Sequence, residues 1–186
     1  MSVKTKKIIY PVKLFCGILI TKKYFQDLII PIQNILIQYL NNEITLLTIP
    51  KDFIETDYYI NEMGQTYRLW IFFENLINME ELSHIKNITN KIEIEFQDSY
   101  GNRRVNIDPG YLSMAKVVLA STKNYTHRIY IGNNIFAEVT LFYQNKTFNS
   151  WPWTYPDYKN DKVINFFNKI RKLYIKQLQD LKYLKK

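Results

Sequence analysis

The chain has 186 residues, 47% of them apolar, five glycines and a single cysteine, which suits one domain with a sizeable core and rules out an intrachain disulfide. Its formal charge of +8 is unevenly placed: residues 1–13 carry +4, residues 159–186 carry +7 and the body between them carries −3. A basic total of this kind points towards nucleic acid, but a mildly acidic body between two basic ends weakens that reading. No apolar run reaches membrane-spanning length, and the basic N-terminus is followed by no small-residue cleavage site, so the expectation is a soluble, cytoplasmic protein.

In chain order, residues 8–20 read as a buried strand holding Cys16, expected as a packed thiol. Thr21 is placed to cap a helix over 22–41 that Pro31 should kink or divide. Residues 43–49 suit a strand and 50–64 a connection. In 65–73, Tyr67, Leu69, Ile71 and Phe73 alternate with Arg68, Trp70 and Phe72, as in a strand with two distinct faces. Asn78-Met79-Glu80-Glu81 resembles a capping box opening a helix whose stripe is Met79, Leu82, Ile85, Ile88, Ile92 and Phe96; His84 falls on its surface.

Residues 103–107 are then extended and Asp108-Pro109-Gly110 reads as a turn. Residues 111–121 are expected as a helical turn leading into a strand. Residues 125–131 and 135–143 form a hairpin closed by Asn133-Asn134, and 146–158 an aromatic, proline-rich loop. A helix from about Asp161 to Leu184 carries the apolar stripe Val163, Phe166, Phe167, Ile170, Leu173, Tyr174, Leu178, Leu181 and Leu184 opposite Lys162, Lys169, Arg171, Lys172, Lys176 and Lys182. The order β-α-β-β-α-β, then hairpin and helix, predicts an α+β fold: a mixed or antiparallel sheet with helices on one face, ferredoxin-like or related, plus the long C-terminal helix.

Two constellations carry chemistry. A two-residue turn at Asn133-Asn134 would set Ile129 opposite Glu138 and His127 opposite Thr140, bringing His127 and Glu138 onto one face. An imidazole and a carboxylate so placed form either a structural contact or a general base with its orienting partner. The second constellation is Arg103, Arg104 and Asp108 with Lys123 and Arg128, charge-balanced by Asp57 and Glu62; such guanidinium and ammonium groups suit a phosphate or a carboxylate. There is no Gly-x-x-x-x-Gly-Lys-Ser/Thr loop, no Gly-x-Gly-x-x-Gly, no zinc-ligand spacing and no Gly-x-Ser-x-Gly elbow, which tells against the corresponding NTPase, dehydrogenase, zinc-finger and hydrolase classes. No cofactor is assigned.

The runs Thr56-Asp57-Tyr58-Tyr59, Arg103-Arg104-Val105-Asn106-Ile107-Asp108-Pro109-Gly110, Leu119-Ala120-Ser121-Thr122-Lys123, His127-Arg128-Ile129-Tyr130, Ala137-Glu138-Val139-Thr140-Leu141 and Trp153-Thr154-Tyr155-Pro156-Asp157-Tyr158 together resemble the bacterial domain-of-unknown-function family 4416 over nearly the whole chain. Members of that family are sometimes labelled GTP-binding. Asn90-Lys91-Ile92-Glu93 is only a loose echo of a guanine-reading Asn-Lys-x-Asp. The reading that follows is one polar cleft binding a small anionic ligand such as a nucleotide. Two alternatives stand beside it. One is an enzyme of phosphate-ester chemistry, with His127 as base, Glu138 orienting it and Arg104, Lys123 and Arg128 holding phosphate. The other is an RNA- or protein-interaction module using the basic C-terminal helix.

Overall fold

A computed structural model describes residues 9–47, 54–56 and 60–185. Those residues form one nine-stranded sheet in which every paired neighbour is antiparallel. Its centre is β1 (Val12–Thr21), flanked by β4 (Thr66–Ile77) and β5 (Val105–Leu112). Beyond β4 lies β2 (Ile44–Leu47), with β3 (Ile54–Thr56) pairing the start of β4. On the other side come β6 (Lys116–Ser121), β8 (Phe136–Gln144) and the edge strand β7 (Ile129–Tyr130), with β9 (Thr147–Ser150) pairing the far end of β8. The partial order β2-β4-β1-β5, joined through α1 (Phe25–Leu40) and α3 (Leu82–Glu95), is the ferredoxin-like unit expected from the element order.

Two cores lie on the two faces. Leu14, Cys16, Ile18 and Ile20 of β1 and Leu69, Ile71 and Phe73 of β4 pack with the buried sides of α1 and α3. Phe15, Trp70 and Phe72 point the other way and meet α5 (Asp161–Asp180) through Val163, Phe167, Ile170, Tyr174 and Leu178. Phe15 stacks on Phe72 at 5.3 Å and meets Phe167 edge-on at 5.4 Å. A strand buried on both faces has no polar alternation, which is why β1 reads as a continuous apolar run. Asn160 caps α5 by accepting from the Lys162 backbone N–H at 2.9 Å.

Several local expectations change. α1 runs through Pro31 undivided, because Leu28, Ile32 and Leu36 anchor both halves in the core. Thr21 does not cap it; its hydroxyl donates instead to the carbonyls of Met63 and Arg104. The stretch read as a connection contains β3 and a short helix α2 (Ile60–Met63). The end of the strand read over 43–49 lies outside the described residues. β9 and the short helix α4 (Pro156–Lys159) replace part of the expected loop.

The largest correction concerns Asp108-Pro109-Gly110, which is not a turn but the middle of β5. These residues pair with Gly17, Cys16 and Phe15 of β1, so the central ladder overrides their turn preference. Gly110 is needed for space rather than for a bend: a Cβ there would stand 2.4 Å from the Val118 carbonyl and 2.6 Å from Phe15 Cζ. The chain reverses later, at a tight link where the Ser113 N–H donates to the Lys116 carbonyl at 2.9 Å, replacing the expected helical turn. Gly110→Ala should therefore destabilise the protein by roughly 1–3 kcal/mol or more, since the opposing atom is backbone and cannot swing away; an unchanged urea midpoint would contradict this packing.

Candidate functional site

The β5–β6 ladder joins only Gly110–Leu119, Tyr111–Val118 and Leu112–Val117. Hydrogen-bonded pairs alternate in an antiparallel ladder. Counting from the bonded pair Ser113–Lys116, Tyr111 with Val118 comes next and Pro109 with Ala120 is due after it. Pro109 has no N–H to give, so the ladder stops and the strands part. A cleft opens between them, with Asn106 and Asp108 from β5 on one wall and Ser121, Thr122 and Lys123 from the end of β6 on the other. Lys86, Asn90 and Glu93 of α3 close its third side.

A chain of alternating charges crosses this cleft. Asp157 of α4 accepts from Arg68 Nε at 2.6 Å, and Arg68 Nη1 lies 3.7 Å from Asp108 Oδ2. Asp108 Oδ1 is 3.4 Å from Lys86 Nζ, which also donates to the Ile107 carbonyl at 2.8 Å. Lys86 is 3.6 Å from Glu93, Glu93 is 3.9 Å from Arg103, and Arg103 is 3.7 Å from Glu62 at the mouth. Asn106 ties the chain together, donating to Asp108 at 2.6 Å and accepting from Arg103 at 3.2 Å. Burial opposes the charged form of Arg68, but Asp157, Tyr158 and Asp108 outweigh it and hold its pKa above the usual value. The Glu93 pKa is raised: burial dominates, and Lys86 offsets it only in part.

Gly17 clears the space behind this chain. A Cβ there would come within 2.6 Å of the Tyr158 hydroxyl and 3.3 Å of Arg68 Nη1. The bulk of Arg68 and Tyr158 on one sheet face is thus accommodated by a glycine in the central strand.

The second wall is knotted around Arg128. Its Nε donates to Glu138 Oε2 at 2.8 Å, Nη1 to Ser121 Oγ at 2.7 Å and to the Lys123 carbonyl at 2.9 Å, and Nη2 to the Tyr155 hydroxyl at 2.8 Å. Glu138 is 2% exposed, and the same Oε2 lies 3.0 Å from His127 Nε2. The contact forms by a route different from the one expected. Gly132 and both turn asparagines have positive φ, the Ile131 N–H donates to the Ile135 carbonyl, and the ladder pairs Ile129 with Ala137, one residue off the predicted register. Extended as a strand, that register would put His127 opposite Val139. The ladder ends at Ile129, however, and the turn closed by the Arg128 N–H on the Tyr125 carbonyl lets the imidazole reach Glu138 from the edge.

Of the residues proposed from sequence, Glu62, Arg103, Asp108, Lys123, Arg128 and Glu138 line the cleft. Arg104 does not: it donates to the carbonyls of Phe96 and Gln97, neutralising the C-terminal end of α3, and lies over the Tyr24 ring. His127 lines a separate, apolar groove on the far side of Glu138. Asp57 lies outside the described residues. Sequence reasoning missed Arg68, Lys86, Asn90, Glu93, Tyr155 and Asp157. The signal for two of them was present: Lys86 and Glu93 fall within the buried side of α3, Lys86 next to Ile85 and Glu93 next to Ile92, where a charge requires a partner.

A family model described as a domain of unknown function (DUF4416) matches residues 10–174. No curated protein and no solved structure matches the chain. No helix among the described residues is long and apolar enough to cross a membrane.

Two measurements test this architecture. Arg68→Met strands the buried Asp157 carboxylate and should cost about 3–5 kcal/mol of stability; a change below about 1 kcal/mol would mean that the pair is not compensating a buried charge. For Glu93, a folded pKa above the unfolded one means that the folded state binds the proton more tightly. Its contribution is full below the ordinary carboxylate range and lost as pH rises through the raised value. Urea midpoints from about pH 4 to about pH 8 should therefore shift in favour of Glu93→Gln over wild type as pH rises. Parallel curves would contradict the raised pKa.

Proposed function

The chain belongs to the DUF4416 family, and we propose that it binds a small polar molecule bearing one oxyanion in the cleft between β5 and β6. The observation that carries this reading is the mouth of the cleft. There, exposed Lys123 and the 38%-exposed side chain of Arg103 stand beside Thr122, above a floor whose charges are already compensated. Arg128 spends its donors inside the protein and Arg104 is turned to α3, so contact with the anion falls to Lys123 and Arg103. Four cationic residues, Lys86, Arg103, Lys123 and Arg128, face four acidic ones, Glu62, Glu93, Asp108 and Glu138. A wall so balanced favours a monoester or carboxylate that also donates hydrogen bonds over a triphosphate. A nucleoside monophosphate falls within that class.

An enzyme is the second reading, favoured by the His127–Glu138 contact of 3.0 Å. Its weakness is placement: His127 opens towards the apolar groove, while the cations that would hold phosphate line the cleft. We take the chain to work as one domain in the cytoplasm, in keeping with its continuous sheet and its single, buried Cys16.

The test is thermal stabilisation by adenosine monophosphate, glucose 6-phosphate, citrate and inorganic phosphate. Lys123→Ala should abolish the rise produced by whichever probe stabilises the wild type, while changing ligand-free stability by only about 0–1 kcal/mol, as befits an exposed cation. Arg128→Ala should destabilise the protein without any ligand. No stabilisation of the wild type by any of these anions, or an unaltered rise in Lys123→Ala, would contradict the reading.

A further inference from the structure

The sheet face that carries α1 and α3 is only partly covered by them. Beyond α3 an apolar slot starts beside Met79 and Leu82 and ends at Trp151 and Trp153. Its two halves share Tyr111, Val118, Ile131 and Ala137 and so form one channel. The floor belongs to the main core, with Val118 only 5% and Tyr111 only 8% exposed, while Ile129 and Trp153 stand exposed at the rim. Continuous apolar surface of this kind marks a binding site more often than an accident of composition.

The rim aromatics do not offer free ring faces. His127 stacks on Trp153 at 5.6 Å, Trp153 on Trp151 at 5.2 Å, and Trp151 meets Phe142 at 4.4 Å. Tyr125 and Arg128 close the other end of the row. A planar ring seeking a stacking partner therefore finds the partners taken. The charged or ionisable groups at the tryptophan end are Lys116, His127 and Glu138. Glu138 is already held by Arg128 and His127, which leaves the Lys116 ammonium as the charge at the tryptophan end, while Glu80 stands at the opposite end beside Met79 and Leu82. None of the ion pairs among the described residues involves Lys116.

We infer that this slot binds an aliphatic carboxylic acid, its chain along Val118, Ile131 and Ala137 and its carboxylate at Lys116. Apolar walls supply area, and one cation fixes the polarity of the bound chain.

The experiment titrates the full chain with decanoate, below its micelle concentration, by calorimetry and tryptophan fluorescence. Saturable binding of one decanoate per chain is expected. Decan-1-ol should bind roughly tenfold more weakly, because it lacks the charge-assisted contact. Lys116→Met should reduce decanoate to the affinity of the alcohol, and Ala137→Phe, which fills the slot, should abolish both. Lys172→Met, on the exposed side of α5, should bind as wild type. The inference is overturned by the absence of saturable binding, by unchanged affinity in Lys116→Met, or by an equal loss in Lys172→Met. Circular dichroism of each variant reports folding; if Ala137→Phe does not fold, the comparison of Lys116→Met with wild type decides.

Discussion

Pro109 has no N–H to offer Ala120, and the candidate site follows from that missing bond. The ladder that joins β5 to β6 at Gly110, Tyr111 and Leu112 cannot extend one step further, so the two strands diverge. β5 itself stays straight because its other edge is locked to β1 from Val105 to Leu112. The result is a rigid wall, a second wall free to turn away, and a gap between them bounded by α3. Proline inside a strand is usually a mark of an edge. Here it makes an internal edge within a continuous sheet.

An internal edge exposes polar backbone and admits charge, and the surrounding side chains deal with both. Glu93 accepts from the Ile107 N–H and Lys86 donates to the Ile107 carbonyl, so α3 satisfies the strand edge that β6 has left. Each of these charges then needs its own counter-charge, which extends the chain outward to Arg103 and Glu62 and inward to Asp108, Arg68 and Asp157. Taking such groups from water costs several kcal/mol apiece unless each is paired. The alternation from Asp157 to Glu62 meets that requirement across three helices and two strands of the sheet. It also couples the C-terminal segment, through Asp157, to the mouth of the cleft. The network ends at Arg103, which lines the same cleft as Lys123.

Much of the fold was legible in the sequence because apolar periodicity reports burial directly. The two faces of β4, the stripe of α3 and the buried side of α5 all follow from it. The turn preference of Asp108-Pro109-Gly110 misled because local propensity carries no information about the β1 ladder that holds those residues extended. The one-residue register shift at the β7–β8 turn arose from Gly132, whose positive φ adds a residue that a two-residue turn does not count. Five cleft residues were anticipated from their charge, and Glu138 from a hairpin register that proved one residue off. Lys86 and Glu93 escaped notice because the stripe of α3 was traced through its apolar residues alone, and Arg104 was wrongly grouped with Arg103 because it turns instead to the carbonyls that end α3. The division between the polar cleft and the groove holding His127 is a property of tertiary placement that no spacing in the chain encodes.

The central claim is that the mouth formed by Arg103 and Lys123 is where the chain meets an oxyanion. The most direct measurement is a backbone amide NMR titration of the full chain with adenosine monophosphate. The account predicts saturable shift changes concentrated at residues 103–108 and 119–123, with residues 162–176 of α5 unmoved. Changes centred on the lysines of α5, or on the groove around His127 with none in the cleft, would contradict it.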